Sequence, residues 1–84
     1  MTDLNWLIRP TAHRGLHDAT KGIIENTPSA VQAAIDAGYA IEVDIQPASE
    51  GQAVVFHDAT LDRLTHGAGN VVERTTAQLK RVRF

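Results

Sequence analysis

The chain has 84 residues, 43% of them hydrophobic and 21% charged, with a formal net charge of −2 and no cysteine. That length allows one small domain at most, and that balance is globular rather than disordered. The charge leaves no basic footprint for nucleic acid, and the missing thiols exclude disulfide staples and thiolate metal sites.

Met1 to Arg9 carries Leu4, Trp6, Leu7 and Ile8 and reads as a lead-in whose aromatic ring is packing material. It has no basic start followed by a long apolar core, so no signal peptide is predicted and a cytoplasmic setting is expected. No stretch of the chain approaches the roughly 20 apolar residues of a membrane span. Pro10 ends the lead-in. Thr11 to Arg14 is a short candidate strand closed by Gly15, and Leu16 to Asn26 is a polar loop containing Gly22.

The clearest helix follows. Thr27 is a good N-cap, and Pro28 suits the first helical position, where a missing N–H costs nothing. The helix runs from Ser29 to Ala37, and Gly38 is placed as its left-handed terminator. Val31, Ala34 and Ile35 form the expected apolar stripe, with Ala30, Ala33 and Ala37 beside it, small enough for close packing on a sheet; it is a core face rather than a cofactor groove.

Ala40-Ile41-Glu42-Val43-Asp44-Ile45 is the most informative stretch. Read as one strand, it points Glu42 and Asp44 to the same side and Ile41, Val43 and Ile45 to the other. Two neighbouring carboxylates on a buried strand repel each other and lose hydration. A hard divalent cation offsets that cost because it prefers oxygen ligands. Taken alone, the pair also fits a solvated edge-strand face; the apolar alternation and the histidines nearby favour the metal reading.

Pro47 to Gln52 reads as a turn, with Gly51 at its positive-φ position. Ala53 to Phe56 is a second apolar strand, and His57-Asp58 stands at its C-terminal end. Asp58 is open to two roles, orienting an imidazole or ending the strand in a turn. Leu61 to Asn70 is a loop, and Val71-Val72-Glu73 is a brief extended piece. Thr76 to Phe84 starts a helix, capped by Thr75 or Thr76, with Leu79 and Val82 on its apolar side. The chain stops before a C-terminal cap, as expected of a segment of a longer protein.

Strand, helix, strand and strand in that order predict an α/β fold, with the first unit the length of one βαβ element. In such folds functional groups collect at the C-terminal ends of strands. His13-Arg14, Glu42 with Asp44, and His57-Asp58 all fall there. Together they suit metal-assisted cleavage of a phosphodiester. Glu42 and Asp44 hold the cation, Arg14 offers a planar fork to phosphate oxygens, and His13 and His57 share the proton transfers.

His13-Arg14-Gly15, Glu25-Asn26-Thr27, Ile41-Glu42-Val43-Asp44, Val54-Val55-Phe56-His57-Asp58, Leu61-Asp62-Arg63 and Thr65-His66-Gly67 occur in an order and spacing that resembles the glycerophosphodiester phosphodiesterase family, from about Thr11 to Lys80. The resemblance implies the N-terminal portion of a TIM (β/α)8 barrel, about the first three strands and one full helix, with residues 1–84 a single partial domain. It implies hydrolysis of glycerophosphodiesters to an alcohol and glycerol 3-phosphate. It carries over Glu42 and Asp44 as ligands of Mg²⁺ or Ca²⁺, His13 and His57 as the acid/base pair, Arg14 as a phosphate contact, and Glu25 and Asn26 as supporting residues. A third carboxylate ligand is implied on a later strand, and nothing after Asp58 supplies it. A whole barrel needs roughly 250 residues, so the 84-residue segment alone is expected to be inactive. Two other readings compete: a phospholipase-D-like lipid phosphodiesterase, and a non-catalytic fragment that binds phosphate or a partner chain.

Overall fold

The computed structural model describes residues 10–84; the lead-in and its Trp6 lie outside them. The chain divides after Asp44 into two compact units, the second being Ile45–Phe84.

The first unit is a βαβ element. Strand β1 is Thr11–His13, helix α1 is Pro28–Ala37 and strand β2 is Ala40–Glu42. The two strands pair in parallel, with Thr11 opposite Ala40, Ala12 opposite Ile41 and His13 opposite Glu42. The helix ends are those expected from the sequence. The Thr27 hydroxyl accepts from the Ala30 N–H and Pro28 opens the first turn; Gly38 closes the last at φ 75°, where only glycine is unstrained. A single 3₁₀ turn, Ala19–Lys21, lies in the connecting loop under the cap of Asp18.

The packing face of α1 differs from the expected stripe. Ala30 and Ala34 are fully buried, whereas Ile35 is 56% exposed and Val31 half-buried. The small side chains win because the backbone comes close. Gly15, at φ +77°, lies so near α1 that an added Cβ would sit 2.7 Å from the Ala30 Cβ. The Leu16 N–H reaches the Ala30 carbonyl at 3.0 Å. Positive φ costs a side chain about 1–2 kcal/mol, and overpacking about 1–3 kcal/mol more. Gly15→Ala is therefore expected to destabilise the full-length protein by about 2–5 kcal/mol, read as a lowered urea midpoint.

The carboxylate strand is shorter than expected. β2 stops at Glu42, and Val43 and Asp44 continue outside any ladder. The period-two alternation survives along the chain, with Glu42, Asp44 and Gln46 half-buried. Its apolar side packs less fully than expected: Ile41, Val43 and Ile45 are 37%, 39% and 68% exposed.

In the second unit Ile45 begins a separate strand. β3 (Ile45–Pro47) pairs antiparallel with β4 (Ala53–Val55). The turn between them has Gly51 at φ 88°. Phe56 leaves the ladder and enters a cluster with Leu61 and Val71, against which Val54, Leu64, Leu79 and Val82 pack. Val71–Glu73 is a 3₁₀ turn, not an extended piece. Its β-branched pair is overridden locally, because the Glu73 N–H bonds the Asn70 carbonyl and the Arg74 N–H the Val71 carbonyl, while Val71 itself is buried. Helix α2 is only Thr76–Leu79, opened by a capping box between Thr75 and Gln78.

Candidate active site

Arg14 is the centre of the first unit's polar cluster. It follows the last residue of β1 and takes φ 60°, an uncommon value for a branched or long side chain. That turn aims its main-chain N–H at the Glu42 Oε1, 2.9 Å away. Gly15, next in sequence, donates to the Glu42 carbonyl at 3.1 Å. The end of β1 is thereby tied to the end of β2 through both the main chain and the side chain of Glu42.

The Arg14 guanidinium turns the other way. Its Nη1 donates to the Glu25 Oε2 at 3.1 Å, and its Nε stands 3.5 Å from the Asp44 Oδ2. That Nε is buried and makes no hydrogen bond. Glu25 is itself buried at 7% exposure, so the pair is mostly withdrawn from water.

Asn26 fixes Asp44. It too has positive φ, 56°, a conformation asparagine tolerates better than most residues, and its N–H donates to the Arg14 carbonyl at 2.7 Å. Its side-chain Nδ2 donates to the Asp44 Oδ2 at 3.1 Å, and its Oδ1 accepts the Asp44 N–H at 3.2 Å. Asp44 lacks a ladder partner, and this two-point clasp takes the ladder's place. His13 completes the group, with Nε2 3.7 Å from the Glu42 Oε1. Parallel register puts those two residues opposite each other, and the imidazole remains largely exposed.

The structure thus gathers His13, Arg14, Glu25, Asn26, Glu42 and Asp44 within one unit. The guanidinium faces Glu25 and Asp44, and Glu42 takes the main-chain N–H instead, so carboxylates outnumber the guanidinium in the cluster. The bonds just described engage one oxygen of each of Glu42 and Asp44. The two half-buried carboxylates are oxygen donors of the kind a hard dication prefers. Among the described residues no group of three or more His, Cys, Asp or Glu side chains is arranged for a metal. Asp62 and Glu73, the acidic residues of the later loop and turn, are used locally, accepting from the Gly69 N–H and the Asn70 amide.

His57 belongs to the second unit. It follows β4, and its Nδ1 lies 2.7 Å from the Asp58 Oδ1. Arg63 grips the same carboxylate from the loop, Nε to Oδ2 at 2.7 Å and Nη2 to Oδ1 at 3.1 Å. The Arg63 guanidinium, and after it the His57 ring, hold the Asp58 carboxyl well below the usual carboxylate range. Asp58 is therefore ionised at neutral pH and accepts only, so neutral His57 carries its proton on Nδ1 and presents Nε2. Asp58 makes the imidazole contact and also lies in the bend that follows β4. The main chain around His57 is braced as well: Gln46 Nε2 donates to the carbonyls of Phe56 and Asp58, at 2.9 and 2.7 Å.

Gln46 and Arg63 escaped the sequence reading as site residues. The alternation that paired Glu42 with Asp44 extends to Gln46, and the five-residue step from Asp58 to Arg63 spans one loop; those were the available signals.

A βαβ unit with paired acidic residues and a histidine at its strand ends defines an α/β protein with its polar cluster where such folds collect functional groups. The sequence model described as the Glycerophosphoryl diester phosphodiesterase family matches residues 13–84, and the chain belongs to that family. It is 40% identical over 72 residues to a glycerophosphodiester phosphodiesterase of Caldanaerobacter subterraneus subsp. tengcongensis, covering 84% of this chain and 28% of that protein. It is 40% identical over 77 residues to human glycerophosphodiester phosphodiesterase 1, covering 89% and 22%. The chain therefore spans about a quarter of the length of these curated relatives.

Among solved structures, a glycerophosphodiester phosphodiesterase from Agrobacterium tumefaciens superposes with a TM-score of 0.75 at 34% identity, over 88% of this chain and 31% of that one. A phosphodiesterase from Oleispira antarctica, solved with its product sn-glycerol-3-phosphate, gives 0.75 at 31% identity, over 88% and 29%. The fold is the N-terminal portion of a TIM (β/α)8 barrel. No helix among the described residues is long and apolar enough to cross a membrane.

Proposed function

We propose that the full-length protein containing this chain is a divalent-cation-dependent glycerophosphodiester phosphodiesterase, releasing an alcohol and glycerol 3-phosphate, and that residues 1–84 are part of a single barrel domain. The observation that carries this reading is the convergence of Glu42 and Asp44 on Arg14, with His13 3.7 Å from Glu42. Family membership and the product bound by the Oleispira relative support the substrate class.

In this reading Glu42 and Asp44 hold Mg²⁺ or Ca²⁺. The bound cation supplies Lewis acidity toward a phosphoryl oxygen. Asn26 keeps Asp44 in place, and Glu25 does the same for Arg14, whose guanidinium contacts the phosphate. An oxygen nucleophile forms a bond to phosphorus as the bond to the alcohol oxygen breaks. One of His13 and His57 removes the proton from the nucleophile, and the other protonates the departing oxygen. Each transfer contributes typically about 10²–10⁴-fold.

The test is product release from the full-length protein. Glycerophosphocholine or glycerophosphoethanolamine should yield glycerol 3-phosphate with Mg²⁺ or Ca²⁺ present, and none in chelator. Cleavage of lysophospholipid without glycerol 3-phosphate would favour a phospholipase-D-like activity instead. Binding without turnover of either would favour a non-catalytic module.

A further inference from the structure

We propose that Arg63 is a positioning residue for turnover, acting on His57 through the carboxylate of Asp58, with Gln46 bracing the main chain on either side of the same histidine. The inference rests on the assignment of His57 to acid–base chemistry made above, and it adds residues to which that assignment gives no part.

The argument begins with exposure. Arg63 is half exposed and His57 nearly so, at 50% and 42% of the side chain. Exposed ion pairs contribute little to folding, because water already solvates both charges. Yet Arg63 does not meet Asp58 at a single point. It makes a two-pronged contact, Nε to Oδ2 at 2.7 Å and Nη2 to Oδ1 at 3.1 Å. A planar fork of that kind fixes the orientation of a carboxylate, which a point charge does not.

Fixing Asp58 matters for what its oxygen touches next. Oδ1 is shared between Arg63 Nη2 and His57 Nδ1. A carboxylate held on one side by the fork offers the imidazole a stationary acceptor, which selects the Nδ1–H tautomer and the ring plane. Without the fork, Asp58 rotates about its side-chain bonds, and the histidine samples both tautomers and several ring angles. Proton transfer requires the reacting nitrogen within hydrogen-bond reach of its target. A loosened ring therefore lowers the productive fraction of bound complexes.

Gln46 supports the same residue from the other direction. Its amide nitrogen reaches the carbonyls that flank His57, at 2.9 Å to Phe56 and 2.7 Å to Asp58. The ring and the main chain of one histidine are thus held by separate groups. Arg63 and Gln46 come from different elements, the loop after β4 and strand β3.

The experiment uses the full-length enzyme with glycerophosphocholine. Arg63→Met keeps an apolar stem and removes the fork; Arg63→Lys keeps the charge and also removes the fork. Both are expected to lower kcat roughly tenfold or more, a part of the 10²–10⁴ carried by proton transfer, with KM and the thermal midpoint little changed. In a His57→Asn background the same Arg63→Met change is expected to have about no further effect, because its route of action has gone. Long-range ¹⁵N spectra of labelled histidine should show His57 as the Nδ1–H tautomer in the parent and as a tautomer mixture in Arg63→Met. These spectra decide the matter if His57→Asn turns over too slowly to measure.

The results separate two failures. If His57→Asn leaves kcat at the parent value, the acid–base assignment of His57 is wrong, and the role of Arg63 falls with it. If His57→Asn is impaired but Arg63→Met and Arg63→Lys turn over normally, or Arg63→Met reduces kcat by the same factor in both backgrounds, only the positioning role is overturned. An unchanged His57 tautomer in Arg63→Met overturns it too.

Discussion

Asp44→Asn in the full-length enzyme is expected to cost at least about a hundredfold in kcat/KM at fixed cation concentration, as loss of a metal-bound anionic ligand removes both affinity and polarising power. The substitution is nearly isosteric. An asparagine oxygen at this position can still accept from Asn26 Nδ2, and the main-chain N–H of residue 44 can still donate to Asn26 Oδ1. The clasp survives, so folding should change far less than activity. What disappears is one unit of negative charge from a cluster where acidic groups already outnumber the guanidinium. Raising Mg²⁺ or Ca²⁺ should recover part of the loss, through an apparent cation affinity weakened by tenfold or more on the same reasoning. Parent-like activity with parent-like cation dependence would show that Asp44 is not a ligand.

The second large effect is expected at His57. His57→Asn should lower kcat by about 10²–10⁴, the range for a removed proton-transfer group, while the cation concentration at half-maximal activity stays where it was. The side chain is 42% exposed and its bond to Asp58 lies near water, so stability should move little. An enzyme that lost cation affinity and turnover together would place His57 among the ligands rather than the proton-transfer groups.

Helix α1 was legible in the sequence because its signals are local. Thr27, Pro28 and Gly38 act on their own backbone and their immediate neighbours, so residue identity and spacing suffice. The Glu42 and Asp44 alternation was legible for the same reason: side-chain direction in extended chain follows from parity. Features that depend on distant partners were not. The separate strand at Ile45 exists because Ala53–Val55 folds back upon it, and nothing in Ile45-Gln46-Pro47 announces that. The burial of Ala30 rather than Ile35 follows from how closely Gly15 approaches. The candidate site residues could be picked out because they are acidic, basic or imidazole types at strand ends. Their holders, Gln46 and Arg63, are ordinary surface residue types, and only coordinates reveal what they grip. The positive φ of Arg14 was also hidden, since its side chain gives no hint of it.

The withdrawal of Arg14 and Glu25 from solvent shapes how scanning experiments at this corner must be interpreted. Arg14→Ala would do more than delete a phosphate contact: it would also take the guanidinium away from the buried Glu25 and from Asp44, so folding and turnover would suffer together. A dead Arg14→Ala protein would therefore say little about catalysis. Swapping both members for neutral groups of similar volume, as in Arg14→Met with Glu25→Gln, removes both charges of the pair together. A double variant that melts like the parent yet fails to turn over would isolate the chemical part of the arginine from its structural part.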